Sequence, residues 1–385
     1  MEKIVIIGAG QGGFQAAASL RQEGFEGQIT LIGAEMGLPY QRPPLSKAFL
    51  KTGNADALNL RPQSYYDKNE ITLLHAYVDR IDRGAKQVFA GDRSIPYDHL
   101  ILAMGTRNLR PPIPGLERAL DLRTLEDAQK LRDTLDRPMR CAVIGGGFIG
   151  LEFAAVARGL GHEVAVAEAA PRLMSRVISP EMSEQFRKLH EGLSTQLLLG
   201  NPVAQVTDDG ITLANDSKIA ADLVLLAAGV VPNTELAEKA GLTVSNGIVV
   251  DRQLLTEDPS ISSLGDCCAF PDPVSHKHIR LESVQAATDH ARLIAKRLVQ
   301  GSDAAYSAVP WFWSDQADKK LQIAGLAAPD DASVMRDDGA VFRFRGDFLC
   351  AVETVNDAKT HMKARRQLAD GSVTRQDILS FHAGN

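Results

Sequence analysis

Apolar residues run along this chain in two periods, and the changes from one to the other predict most of its elements. Short β-branched runs, Ile4-Val5-Ile6-Ile7 and Ala142-Val143-Ile144, read as buried strands. Each leads through a glycine-rich turn into a stretch with helical apolar spacing. A second strand follows each helix: Gln28-Ile29-Thr30-Leu31-Ile32-Gly33 in the first case, Glu163-Val164-Ala165-Val166-Ala167 in the second. Two further apolar strands, Leu100 to Thr106 and Leu223 to Gly229, look like chain returns between lobes. The stiff crossing Pro111-Pro112-Ile113-Pro114-Gly115 lies beyond the first and Pro232 beyond the second. A long helical pattern covers about Val284 to Val299. Alternation in Ala340-Val341-Phe342-Arg343-Phe344 and Phe348-Leu349-Cys350-Ala351-Val352 predicts antiparallel strands of a small α+β domain.

The two turns are copies of one motif, Gly8-Ala9-Gly10-Gln11-Gly12-Gly13 and Gly145-Gly146-Gly147-Phe148-Ile149-Gly150. Strand, turn and helix in this order are the context of the dinucleotide fingerprint. The first glycine makes the tight turn, the second lets backbone N–H groups approach a pyrophosphate, and the third packs helix close to strand. The helix N-terminus then faces the negative charge. Each copy also has an acidic residue at the end of its second strand, Glu35 and Glu168. A carboxylate there accepts from adenosine ribose hydroxyls and repels a 2′-phosphate, so Glu168 argues for NADH over NADPH. A single such motif fits any tight glycine turn; two complete units point to two bound dinucleotides.

Composition narrows the picture. The chain has 385 residues, 44% hydrophobic and 23% charged, enough for two or three domains with ample core. A net charge of −6 gives no reason to expect nucleic-acid binding. The first strand begins without a basic, apolar leader and no apolar run reaches membrane-spanning length, so a cytoplasmic, soluble protein is the expectation. Cys141, Cys267, Cys268 and Cys350 form no C-x-x-C and no metal-ligand spacing. The adjacent Cys267 and Cys268 read as small core thiols, and redox chemistry falls to bound cofactors. The nine histidines form no metal or triad pattern and read as surface or packing residues.

Over nearly its whole length the chain resembles the pyridine-nucleotide flavin reductases, and within them the ferredoxin reductases that serve bacterial oxygenases. The resemblance rests on Pro39-Tyr40-Gln41-Arg42-Pro43-Pro44-Leu45-Ser46-Lys47, Leu122-Arg123-Thr124-Leu125-Glu126-Asp127, Gly145 to Glu152, and Pro171-Arg172-Leu173-Met174-Ser175-Arg176. Thr256 to Asp266, Leu281-Glu282-Ser283-Val284 and Pro310-Trp311-Phe312-Trp313-Ser314-Asp315-Gln316 add to it. It implies an α/β fold of two Rossmann-like dinucleotide-binding domains, glutathione-reductase-like, plus a small C-terminal α+β domain. The expected division is 1–107 and 232–303 for FAD, 108–231 for NADH, and 304–385 as the C-terminal interface domain.

The resemblance also assigns site residues. Gly8, Gly10, Gly12, Gly13, Glu35, Arg42, Lys47, Val78, Arg123, Asp266, Val284 and Trp313 are expected at FAD. Gly145, Gly147, Ile149, Gly150, Glu152, Glu168, Arg176 and Gly229 are expected at NADH. Relatives usually carry an acid where this chain has Ala34, so either Glu35 takes the ribose contact or that contact is weakened. Lys47, in a proline-stiffened loop, can stabilise negative charge on a reduced flavin. It is expected to pair with Glu152, which touches the nicotinamide carboxamide. As plain structure, Lys47 is a loop lysine, Glu152 a helix-start acid favoured by the dipole, Asp266 a capping turn residue, and Trp313 core.

The activity implied is hydride transfer from NADH to FAD, then single-electron transfer to a [2Fe-2S] ferredoxin supplying a Rieske oxygenase or a cytochrome P450. No acid, base or nucleophile is needed for the hydride step. Acidic ferredoxins call for a basic rim; candidates are Arg61 and Arg292 first, then Lys296, Arg297, Lys319 and Lys320. The rivals are a flavin oxidase or peroxidase and a redox-sensing binding protein resembling apoptosis-inducing factor. The Pro43 to Leu50 region has no cysteine for the peroxidatic or disulfide branches. The second rival calls for long insertions and a targeting leader, and neither is expected here. A rubredoxin is a closer alternative acceptor.

Overall fold

The computed structural model of the chain describes residues 1–273 and 275–380. The residues form two compact units, each assembled from separated stretches. The first holds Met1–Arg42, Ala55–Arg107 and Val230–Ala308; the second holds Pro43–Asn54, Asn108–Gly229 and the chain from Val309 onward. The last five residues of the expected 304–385 domain lie outside the described residues.

The first unit is organised by a parallel five-stranded sheet in the order Ile261–Ser263, His99–Leu102, Lys3–Ile7, Gln28–Gly33, Ile71–His75. Its central strand is buried from Ile4 to Ile7, which is why it reads as a continuous apolar run without alternation. The helix Gln11–Gln22 buries Phe14, Ala16, Ala17 and Leu20 and packs against the helix Val284–Gln300. That second helix starts at the N-cap Ser283, whose hydroxyl accepts from Ala286 N–H at 3.3 Å, and stops at Gly301 with φ +67°. Gly12 lets the first helix lie against Leu264, which follows the strand Ile261–Ser263: a Cβ there would stand 2.4 Å from Leu264 Cδ1, and 3.5 Å from Ala287 Cβ of the second helix.

The second unit repeats the plan. Its parallel sheet runs Gln196–Leu199, Glu163–Glu168, Arg140–Ile144, Leu223–Leu226, with the helix Phe148–Gly159 after the second glycine turn. The two chain returns are shorter than their apolar runs suggest. Strand geometry ends at Leu102 and Leu226, and the glycines beyond, Gly105 and Gly229, turn the chain at φ +63° and +108°. The C-terminal part is an antiparallel five-stranded sheet ordered Trp311–Gln316, Lys319–Gly325, Phe348–Val355, Val341–Arg345, Ala332–Met335. The helix Ala358–Asp370 covers it, capped by Asp357. Ala324, Phe342, Phe344, Val352 and Ala364 fill the space between. Among the described residues no helix is long and apolar enough to cross a membrane.

Candidate functional site

The two glycine turns match in their sterics at the three glycines of the motif. Gly8 and Gly145 take φ +106° and +112°, and a Cβ would stand 2.2 Å from Ala103 O and 2.3 Å from Ala227 O respectively. Gly13 and Gly150 would meet the carbonyls of Gly8 and Gly145 at 1.8 Å and 2.2 Å. Gly10 and Gly147 differ in kind: each is the N-cap of its helix, and a Cβ at either meets nothing within 4 Å. Close packing explains the first and third glycines, and nothing within the fold requires the middle ones. Both helix starts therefore present unblocked N–H groups to open space, the arrangement that receives a pyrophosphate. The donor chemistry fits two dinucleotides.

Each acidic residue is held by its own surroundings. Glu168 accepts from the N–H groups of Gly146 at 2.6 Å and Ala170 at 2.8 Å, which locks its carboxylate to the second turn. Ile149, in the first turn of that helix, leaves a 43% exposed apolar side chain. Arg176 is exposed, with a guanidinium nitrogen 3.4 Å from where a Gly229 Cβ would be. Arg176 and Gly229 thus meet at the strand end that closes the second turn. Arg123 lies in the same unit, its N–H bonded to Asp127 at 3.1 Å ahead of a Thr124/Asp127 capping box. In the first unit Glu35 pairs with Arg42 and accepts from the Tyr40 hydroxyl at 2.5 Å. Val78 is buried. Asp266 is the one residue from Ser260 to Phe270 that is not buried. Val284 begins its helix, where the N–H has no acceptor within the helix.

Lys47 and Glu152 come together inside the second unit. Glu152, 3% exposed on the helix Phe148–Gly159, faces Lys47 Nζ at 3.1 Å and accepts from the hydroxyls of Ser46 at 2.6 Å and Ser314 at 2.7 Å. Burial pushes its carboxyl up; the ammonium and the two hydroxyls oppose that. Lys47 has a second carboxylate, Asp315, at 3.2 Å. The polar chain continues inward: Gln316 Nε2 donates to Ser314 Oγ at 3.1 Å, and Gln316 Oε1 faces His190 Nε2 at 2.9 Å. The strand Trp311–Gln316 explains the sorting, because Ser314 and Gln316 alternate to the buried side while Trp311, Trp313 and Asp315 share the other. Trp313 is half-buried, its ring 5.5 Å from that of Trp311. Ser46, Ser314, Asp315, Gln316 and His190 carry no assigned role in the sequence reading. Polar residues on the inward side of an otherwise apolar strand were the available signal.

Among the candidate docking cations, Arg61 is exposed and lies over the Tyr65 ring, and Arg292 is exposed beside Asp289 at 3.5 Å. Lys296 and Lys320 are exposed, and Lys319 pairs with Asp318 at 3.0 Å. Arg297 is a correction to the expectation: its guanidinium turns inward to Gln253 O and Ser262 Oγ, where burial lowers its basicity, so it is a packing residue of the first unit. The cysteines are free, and burial pushes the Cys141 and Cys350 thiols to about 12 and those of Cys267 and Cys268 up as well. Five histidines, at 99, 162, 190, 290 and 361, are buried.

Comparison with known proteins agrees with this geometry. Residues 2–291 match the pyridine nucleotide-disulphide oxidoreductase family, and residues 311–380 match the reductase C-terminal domain. Rhodocoxin reductase of Rhodococcus erythropolis is 48% identical, covering 95% of this chain and 89% of its own. The crystal structure of the ferredoxin reductase for the CYP199A2 system from Rhodopseudomonas palustris is 42% identical with a TM-score of 0.94, covering 97% of this chain and 96% of its own. That of the covalent putidaredoxin reductase–putidaredoxin complex is 36% identical with a TM-score of 0.91, covering 96% and 93%. The chain belongs to the pyridine nucleotide-disulphide oxidoreductase family and works with that family's two dinucleotides, FAD and NADH.

Proposed function

We propose that this chain is an NADH-dependent ferredoxin reductase that feeds single electrons to a [2Fe-2S] ferredoxin of a Rieske oxygenase or cytochrome P450 system. The observation that carries the reading is the doubled glycine cradle, with Gly10 and Gly147 both open, in a chain whose Pro43–Leu50 segment has no cysteine and supplies Lys47 to a pair with Glu152. Residues 1–107 and 232–303 would hold FAD, 108–231 NADH, and 304–385 would form the interface domain. When bound, FAD accepts a hydride as an electron pair and can release the electrons one at a time.

The chain's own residues bind, orient and supply charge. The N–H groups opening at Gly10 and Gly147 take the pyrophosphates. Tyr40 and Arg42 orient Glu35 for the adenosine ribose of FAD, in place of the acid that Ala34 lacks. Asp266 accepts from the ribityl chain, and Val284 N–H bonds the ring. Glu168, fixed by Gly146 and Ala170, accepts from the NADH ribose and disfavours a 2′-phosphate. Two carboxylate oxygens offer about four acceptor positions. Ser46, Ser314 and Lys47 use three of those on Glu152, leaving one for the carboxamide N–H of nicotinamide. Lys47, steadied by Glu152 and Asp315, places a fixed positive charge for the reduced ring. Trp313 flanks the ring from the same strand face as Asp315.

Arg61 and Arg292 are the proposed docking cations, since both stay exposed. The direct test is cytochrome c reduction by NADH in air, with and without a [2Fe-2S] ferredoxin, while oxygen is monitored. Reduction that requires ferredoxin, with a salt dependence flattened in Arg292→Glu, supports the reading. Oxygen consumption that ignores every ferredoxin and rubredoxin tried would instead make the chain an oxidase.

A further inference from the structure

The loop that carries Arg176 is fixed by contacts reaching into three other parts of the second unit. Arg172 spans it from inside, donating to Ser175 O and Ile178 O, both at 2.7 Å. Met174, at φ +49°, donates its N–H to Gly146 O at 2.9 Å, so the loop hangs from the second glycine turn. Its far end is Ser179, N-cap of the helix Pro180–Gly192, whose hydroxyl oxygen accepts from Met182 N–H at 3.0 Å. The remaining support comes from the C-terminal sheet. Glu353 on the strand Phe348–Val355 is wholly buried and accepts from Ser179 N–H at 2.8 Å and from Ser179 Oγ at 2.6 Å. Arg343 on the next strand, 1% exposed, faces Glu353 at 3.2 Å and donates to the carbonyls of Ala328 and Asp331. Gln316 lies against Met174 Sδ at 3.6 Å.

A charge pair at this depth is a costly way to hold a domain together, because apolar residues of similar volume would fill the space without the desolvation penalty. Burial pushes the Glu353 carboxyl up, and the Ser179 bonds and the Arg343 guanidinium oppose that; a carboxylate at a helix N-terminus, bonded to its cap, supplies what apolar packing cannot: a fixed point. Arg176 itself makes no ion pair or hydrogen bond among the described residues, so its placement depends on the loop beneath it. We propose that Glu353 and Arg343 are positioning residues for the pyridine nucleotide: through Ser179 the C-terminal domain fixes the loop that presents Arg176 beside Gly229, and so sets the affinity for NADH. The proposal rests on the assignment of Arg176 to the NADH site.

The test uses the full-length protein with FAD bound and oxidised. NAD⁺ affinity is measured by calorimetric titration, and hydrogen exchange is followed over 171–183. Losing one charge-assisted bond at Ser179 corresponds to about tenfold in affinity. Ser179→Ala and Glu353→Gln should each raise the Kd for NAD⁺ and the KM for NADH by about that factor, keep kcat within about twofold, and speed exchange over the loop. Asp357→Ala removes another N-cap of the same unit, one that accepts from Thr360 N–H at 2.9 Å, and should leave the Kd unchanged. Faster loop exchange with an unchanged Kd in Ser179→Ala overturns the proposal. So does an equal rise in Kd in Asp357→Ala, which would show general loosening. If Arg176→Ala itself leaves the Kd unchanged, the NADH-site assignment fails, and the proposal with it.

Discussion

Alanine at Gly147 separates binding from folding. Gly147 sits at φ −84° and ψ −174°, extended backbone open to any residue, and an added Cβ meets no atom within 4 Å. On the folding side, alanine is a poorer N-cap than glycine by roughly 0.5–1 kcal/mol. Restricting the unfolded chain returns about 0.4–1 kcal/mol. The two offset, so stability should change by less than about 1 kcal/mol. On the binding side, the methyl stands where the helix-start N–H groups would meet a pyrophosphate. Loss of one charge-assisted bond costs roughly 1.5–3 kcal/mol, which is about 10- to 150-fold in Kd. The assay pairs thermal unfolding with NAD⁺ titration. Gly150→Ala is the contrasting variant: its Cβ would lie 2.2 Å from Gly145 O, and it should fold poorly or not at all. Unchanged NAD⁺ affinity in a well-folded Gly147→Ala would refute the role of this cradle in binding the dinucleotide.

Three other outcomes follow from particular contacts. Lys47→Met leaves Glu152 buried with two hydroxyls only, and should cost about 3 kcal/mol of unfolding free energy; adding Glu152→Gln should recover at least about 1 kcal/mol of that, and strict additivity in the double-mutant cycle would count against the pair. Glu168→Gln removes a like charge facing any 2′-phosphate, so the NADH-to-NADPH ratio of kcat/KM should fall by roughly tenfold or more; a constant ratio places the selectivity elsewhere. Burial holds the folded pKa of His99 and His290 at about 3. Above pH 6.5 both states are neutral and stability is complete; as pH falls the unfolded chain takes up protons that the folded chain refuses until about pH 3, so stability declines through that window. At pH 5 the loss is about 2 kcal/mol per histidine. Urea unfolding followed by circular dichroism should show His99→Gln losing about 2 kcal/mol less than the parent between pH 7.5 and 5, and parallel pH profiles would contradict the assignment.

What could be read from the sequence was what local sterics demand. The glycine turns need no distant partner to be recognised: Gly13 answers to Gly8, Gly150 to Gly145, and the strand before each is apolar because both its faces are covered. The helix Val284–Gln300 announced itself by its periodicity, while its Ser283 cap emerged only in the fold. Contacts between remote segments were hidden. Nothing near Glu353 in the sequence points to Ser179, and nothing near His190 points to Gln316, because a buried polar partner is chosen by tertiary packing. A charged residue inside the apolar run Phe348–Val355 was the only trace. Arg297 was misread for the same reason: one helix carries Arg292, Lys296 and Arg297, and only the fold turns the last of them inward.

Electron counting under anaerobic conditions tests the central claim most directly. Substoichiometric NADH is added to the FAD-loaded protein in the presence of excess oxidised [2Fe-2S] ferredoxin, and flavin and ferredoxin absorbance are followed together. A ferredoxin reductase reduces two ferredoxins per NADH consumed, with the flavin returning to its oxidised spectrum and NADPH giving little. Flavin that bleaches with NADH and stays bleached beside oxidised ferredoxin would contradict the account.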